Sequence, residues 1–249
     1  MKTTSPSDRA LLVGESLVGA AHAGQRQQNQ DAVRVQAYSY GSVAAVADGV
    51  GSHRYAEYGS RAAVQAVHQV FAQYARRDMD RTRIVRAIAG RYVELVQAQY
   101  RAWAGTTCIF FAHLYEEGLF LGQVGDGICC GYLNGAPFCL GEREEAFSNL
   151  VAPLSAAGGP PPAWRTRFVP KGELRSVELM LATDGVSDDL LPGQEAAFAR
   201  YLISRAAEAR QEERQEALRQ ILERWETPLS QDDKTIALYR YTADGPGGR

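Results

Sequence analysis

Five aspartates stand at the ends of apolar segments. Asp31 opens the run D-A-V-R-V-Q-A. Asp48-Gly49 closes S-V-A-A-V-A, Asp126-Gly127 separates two apolar runs, Asp184-Gly185 closes V-E-L-M-L-A-T, and Asp232 stands just before T-I-A-L-Y-R-Y. Taken singly, each reads as a turn residue, because Asp-Gly suits tight turns and an Asx side chain hydrogen-bonds its own backbone. Taken together, five carboxylates at strand ends could gather at one end of a sheet. Clustered carboxylates cannot all stay ionised without counter-charge, and divalent cations supply it. An oxygen-only donor set favours Mg2+ or Mn2+ over zinc. Two such ions about 3.5–4 Å apart clamp a phosphoryl oxygen and lower the pKa of a water between them. Spacing along the chain does not by itself establish the convergence.

The elements that must position these residues are legible from hydrophobic periodicity. Segment 31–37 alternates, with Val33 and Val35 on one face, and 42–47 is a short apolar run stopped by Asp-Gly; both read as strands. Residues 56–75 and 81–102 carry apolar side chains at helical spacing, Val67 and Phe71 in the first and Ile88 and Tyr92 in the second. From 105 the period changes. Segments 107–114 and 119–124 form one expected hairpin, and 128–133 and 136–140 another around Asn134-Gly135. A strand is expected at 177–183, helices at 193–209 and 211–225, and a closing strand at 235–241. Residues 148–163, with three consecutive prolines, read as a surface loop or as a flap beside a site. Residues 1–9 and 243–249 read as loose ends, leaving an ordered core of about 10–242. Helices in pairs between groups of strands give a mixed α and β chain.

Bulk composition narrows the classes. The chain has 249 residues, 45% hydrophobic and 22% charged, enough for one domain with a full core. No linker or internal repeat divides it, so 1–249 is expected to be a single domain. The formal net charge of −2 and the absence of a basic stripe argue against nucleic acid as a partner. No apolar run resembles a signal peptide or membrane span, and a cytoplasmic monomer is expected. Cys108, Cys129, Cys130 and Cys139 form no C-x-x-C pair; they are expected to be core thiols, with adjacent Cys129 and Cys130 facing opposite sides of a strand.

Seven motifs in order resemble the metal-dependent protein phosphatases of the PPM, or type 2C, family in its bacterial form. These are R-Q-Q-N-Q-D-A at 26–32, V-A-D-G-V-G-S-H at 46–53, E-Y-G-S at 57–60, G-T-T at 105–107, V-G-D-G at 124–127, A-T-D-G at 182–185 and D-D-K-T at 232–235. The likeness spans roughly 22–241. It implies an α+β fold, a four-layer α-β-β-α sandwich of two antiparallel sheets flanked by helix pairs. It also implies hydrolysis of phosphoserine and phosphothreonine esters in proteins by attack of a metal-bridging hydroxide.

The resemblance assigns roles residue by residue. Asp48 would bridge two Mn2+ or Mg2+ ions, with the Gly49 carbonyl and Asp31 completing one shell. Asp184 and Asp232 would hold the other ion, and Asp126 with Asp184 a third, weaker one. Arg26 matches the phosphate-binding arginine, whose guanidinium fork suits phosphate oxygens and stays charged. His53 is the first candidate for the group that protonates the leaving alkoxide and His22 the second, with water as the alternative. His68 and His113 read as packing residues. Three positions depart from the motifs: Asp233 stands where the family has Asn, Gly127 where it has Ser, and Ser52 where it has Gly. None removes an implied ligand. The expected partners are a phosphoprotein substrate and, by family habit, a Ser/Thr kinase or its targets. A regulatory phosphoprotein-binding module and a metabolite phosphohydrolase are the competing readings.

Overall fold

The computed structural model describes residues 10–24, 28–52, 55–74, 83–100, 104–140, 153–157, 162–225 and 230–243. Two five-stranded antiparallel sheets stack face to face. The first takes β1 (Leu11–Leu17), β12 (Lys234–Thr242), β11 (Ser176–Ala182), β7 (Ile128–Leu133) and β8 (Ala136–Cys139), in that spatial order. The second takes β10 (Arg165–Pro170), β6 (Gly118–Val124), β5 (Cys108–Leu114), β3 (Gly41–Asp48) and β2 (Asp31–Tyr38). Helices α2 (Ala56–Tyr74) and α3 (Ile84–Tyr100) cover the outer face of the second sheet, and α5 (Glu195–Glu208) and α6 (Arg214–Glu223) that of the first. This is the expected α-β-β-α sandwich.

Three apolar layers hold it together, and single strands feed two of them at once. On β3, Ala44 and Val46 point into the inter-sheet layer with Phe111, Leu121, Leu181 and Tyr239. Val43, Ala45 and Ala47 point the other way, under Val67, Phe71, Ile88 and Tyr92 of α2 and α3. A strand buried on both faces reads as a continuous apolar run, which is why 42–47 lacks alternation. The same pleat sends Cys129 to the inter-sheet layer and Cys130 to the layer under α5 and α6. All four cysteines are free thiols. No helix among the described residues is long and apolar enough to cross a membrane.

Among the described residues the elements differ from the sequence reading in several places, the short helices at 20–24 and 184–187 and the 3-10 turn at 171–173 among them. The first element of the described residues is a strand, β1, which pairs with β12 along its whole length. Its L-L-V-G-E-S-L sequence carries only a short apolar run and a central glycine. Strand β10 pairs with β6, and its R-T-R-F-V-P sequence is exposed over the first three residues because it lies at a sheet edge. Within the supposed loop at 148–163, Leu154–Ser155 forms a short strand, β9, against β4 (Gly105–Thr106); residues 148–152 and 158–161 of that segment lie outside the described residues. Residues 211–213 form a separate 3-10 turn ahead of α6.

Candidate metal centre

The β2–β3 register sets the first pair of carboxylates. It places Asp31 directly opposite Asp48, at the end of the second sheet. The Asp31 charge acts directly on Asp48 and raises the proton affinity of the site they share. Asp31 is 6% exposed. Asp184 arrives from the first sheet, as the opening residue of the short helix α4 (Asp184–Ser187) that follows β11. Asp126 lies in the turn between β6 and β7 and is exposed. One carboxylate oxygen from each of Asp48, Asp126 and Asp184 lies within 4.8 Å of the other two. Asp232, just before β12, acts electrostatically on both Asp48 and Asp184. Residues up to about two hundred positions apart are thus joined where the two sheets end together.

Hydroxyl side chains hold these acids in place, and they account for motif positions that carried no role in the sequence. Thr107 Oγ1 accepts the Asp48 N–H at 3.1 Å, and the Asp48 carbonyl accepts the Thr106 hydroxyl at 2.7 Å and the Thr107 N–H at 2.8 Å. The two threonines of G-T-T therefore fix the backbone that carries Asp48. The Thr183 hydroxyl donates to Asp31 Oδ2 at 2.8 Å, and its oxygen accepts the Thr235 N–H at 3.2 Å. Thr235 Oγ1 lies 2.6 Å from Ser16 Oγ, which accepts from Asn29 Nδ2 at 2.9 Å, and Asn29 Oδ1 accepts the Asp31 N–H at 2.9 Å. A closed chain of polar groups thus runs from Asp31 across both sheets and back. Its signal lay in the non-acidic positions of the motifs: Thr in A-T-D-G and D-D-K-T, Asn in N-Q-D.

The electrostatics of the cluster are those of acids short of counter-charge. Burial pushes the Asp31 carboxyl well above the usual range. Burial does the same to Asp48, reinforced by the neighbouring charges of Asp31 and Asp184. Asp184 is pushed up to about 6 by burial and then by Asp126 and Asp232. Holding protons is the costly alternative to holding a cation. The donor set is oxygen only, contains no thiolate, and offers carboxylates from several directions. These residues fit a hard divalent cation such as Mg2+ or Mn2+.

Arg26 and His53 fall outside the described residues. Gly49 directly follows Asp48, and its N–H donates to the Gln30 carbonyl at 3.1 Å. His22 lies in the short helix α1 (Ala20–Gly24), with Nδ1 2.9 Å from Asp233 Oδ2 and 3.6 Å from Asp232 Oδ1. It faces this pair rather than the group formed by Asp48, Asp126 and Asp184. The neighbours Asp232 and Asp233 are distinguished by environment: the Asp232 side chain is 49% exposed and Asp233 2%. Gly127 has φ +86°, and a Cβ there would fall 2.6 Å from the Ala182 carbonyl oxygen, so this turn excludes a serine as built. His68 and His113 are buried, with His68 between Tyr38 and the Arg34 carbonyl and His113 on the Tyr239 hydroxyl.

Two stacked antiparallel sheets with outer helix pairs and an acidic cluster at one end define the PPM phosphatase fold. The profile of the protein phosphatase 2C family matches residues 18–223. The chain belongs to that family. No curated protein sequence matches it. Among solved structures, the PPM Ser-Thr phosphatase MsPP from Mycobacterium smegmatis is 18% identical, with 94% of this chain and 98% of that chain covered and a TM-score of 0.63. The catalytic domain of the serine/threonine protein phosphatase PstP, solved with two manganese ions, is 17% identical over 94% and 99%, with a TM-score of 0.59. RsbX, solved with magnesium, is 18% identical over 94% and 96%, with a TM-score of 0.57.

Proposed function

We propose that the protein is a Ser/Thr protein phosphatase that hydrolyses phosphoserine and phosphothreonine esters and requires Mn2+ or Mg2+. The observation that carries this reading is the meeting of Asp31, Asp48, Asp126, Asp184 and Asp232 at one end of the sandwich, three of them with oxygens mutually within 4.8 Å. Asp48 is central: it stands opposite Asp31 in the sheet and has a carboxylate oxygen within 4.8 Å of one from Asp126 and one from Asp184, so it would be the residue suited to share two ions. Asp31 and the Gly49 carbonyl would complete one ligand set, Asp184 and Asp232 the other, and Asp126 with Asp184 would offer a third position. Divalent cations, when bound, polarise phosphoryl oxygens and make water a nucleophile near neutral pH.

The chain's own residues do the remaining work. Thr106, Thr107 and Thr183 hold Asp48 and Asp31 in fixed orientations, so little reorganisation accompanies charge development. Arg26 supplies a permanent positive fork for the phosphate oxygens. The leaving serine or threonine alkoxide takes its proton from His53, His22 or water. The likeness to a phosphatase solved with manganese and to RsbX solved with magnesium supports the choice of cation, and a Ser/Thr kinase acting on the same substrates is the natural opposing partner.

The test is turnover of a phosphoserine peptide, p-nitrophenyl phosphate and a phosphorylated sugar, each with Mn2+, Mg2+ and EDTA. Peptide and p-nitrophenyl phosphate hydrolysis that EDTA abolishes is the expected outcome. No turnover with either metal would favour a phosphoprotein-binding module, and turnover of the sugar phosphate alone would favour a metabolite phosphohydrolase.

A further inference from the structure

One buried carboxylate joins three segments that lead into the centre. Asp233 Oδ1 accepts the Gly19 N–H at 2.7 Å, and Oδ2 accepts the Gln30 N–H at 2.6 Å. Oδ2 also lies 2.9 Å from His22 Nδ1. Each segment sits next to a ligand or to its support. Gln30 precedes Asp31 on the second sheet. Asp233 follows Asp232 at the head of β12 on the first, and its own N–H donates to Asp232 Oδ1 at 2.8 Å. Gly19 leads into α1, packed so closely that a Cβ would fall 2.2 Å from the Asp232 carbonyl carbon, and the Ala21 N–H donates to the Gln231 carbonyl at 3.0 Å.

Both carboxylate oxygens are needed for this arrangement. An asparagine, the residue of the family motif here, has a single acceptor oxygen, and its amide NH2 would face one of the two N–H donors. A carboxylate 2% exposed is costly unless its lone pairs are filled, and charge-assisted bonds from two backbone amides fill them.

We propose that Asp233 is a positioning residue: it braces the two sheets at their shared end and sets the separation of Asp31 from Asp232, and through it the affinity for the divalent cations. This rests on the reading of Asp31 and Asp232 as metal ligands. Removing the second acceptor lets Gln30, and with it Asp31, move away from the β12 end. Partners that orient ligands typically change metal affinity by roughly 10–100-fold when lost.

The experiment uses the full chain, wild type and Asp233→Asn, with amide hydrogen exchange in EDTA and Mn2+ titration by calorimetry. In the metal-free variant the Gly19 and Gln30 amides should exchange faster, and Mn2+ should bind roughly tenfold weaker or worse while near-UV circular dichroism stays native. Unchanged protection at both amides would overturn the brace. Lost protection with Mn2+ affinity within twofold of wild type would reduce Asp233 to a structural role and overturn the proposal as well. The wild type gives an independent readout should the variant not fold. Coupling between the sites is reciprocal, so saturating Mn2+ should slow exchange at Gly19, and an unaltered Gly19 rate sinks the coupling. Should wild type bind no Mn2+, the phosphatase reading fails first, whereas the EDTA exchange data still judge the brace separately.

Discussion

The cation-free centre predicts an unusual pH dependence of stability. An unfolded aspartate titrates near 3.8, whereas in the folded protein burial pushes Asp31 up to about 8 and Asp48 higher still. Above 3.8 the folded state therefore holds protons that the unfolded state has released, and stability falls as pH rises until the folded carboxyls ionise. His68 and His113 act in the opposite sense. Burial lowers both to about 4, so they contribute stability that grows with pH, but only up to the ordinary histidine value of 6.5. Between pH 6.5 and 8 that opposing contribution dies away and the raised carboxyl pair dominates. One proton retained by the Asp31–Asp48 pair is worth about 1.4 kcal/mol per pH unit, about 2 kcal/mol across that window, of which about 1 kcal/mol is left once the fading histidine contribution is subtracted. In a protein of this size that corresponds to a fall of about 2–4 °C in Tm. Thermal unfolding followed by circular dichroism in EDTA at pH 6.5 and pH 8 measures it. Asp48→Asn should shrink the fall, and saturating Mn2+ should reverse it, because the cation takes the ionised carboxylates and displaces their protons. A wild-type Tm in EDTA that is equal or higher at pH 8 would refute the reasoning.

Three further outcomes are expected. Arg26→Ala should raise KM for a phosphopeptide more than it lowers kcat, and a large loss of kcat at constant KM would remove Arg26 from phosphate binding. Thr183→Val deletes the hydroxyl that donates to Asp31 and strands the Thr235 N–H; it should weaken Mn2+ binding roughly tenfold and cost about 1–3 kcal/mol in urea unfolding, whereas wild-type affinity would show that this bond does not orient the ligand. Phe110→Ala empties a fully buried position packed on Phe71, Phe120 and Trp164, which should cost about 3–5 kcal/mol in urea unfolding with metal affinity retained; a loss under 1 kcal/mol would contradict the packing described.

The mixed α and β chain with paired helices was legible because its central strands and its helices carry clean periodicities, while the four-layer sandwich followed only from the family resemblance. Residues 108–114, 118–124 and 176–182 are apolar runs of strand length, and α2 places Val67, Val70, Phe71 and Tyr74 on one face. The strands that escaped notice are edges. β1 and β10 each have one hydrogen-bonded neighbour; the first three residues of β10 are exposed, so two arginines replace the alternation there, whereas β1 packs on both faces and its short apolar run is cut by Gly14. In the centre, the acids stood out through their ordered motifs, yet no spacing in the chain could show that Asp31 and Asp48 face each other, because pairing register belongs to the sheet. The threonine supports and the Asp233 brace were hidden for the same reason. Their long-range partners lie 52 to 219 positions away. Asp233 is instructive: in sequence it is only an acid where the family motif has asparagine, and the structure shows its two oxygens occupied by backbone amides.

The central claim is that carboxylates remote in the chain form one divalent-cation site with Asp48 at its middle. A crystal structure of the Mn2+-soaked protein, with manganese located by anomalous scattering, tests it most directly. The account predicts two strong peaks that share Asp48, with Asp31 on one and Asp184 and Asp232 on the other. Manganese absent from this end of the sandwich, or bound there without Asp48, would contradict it.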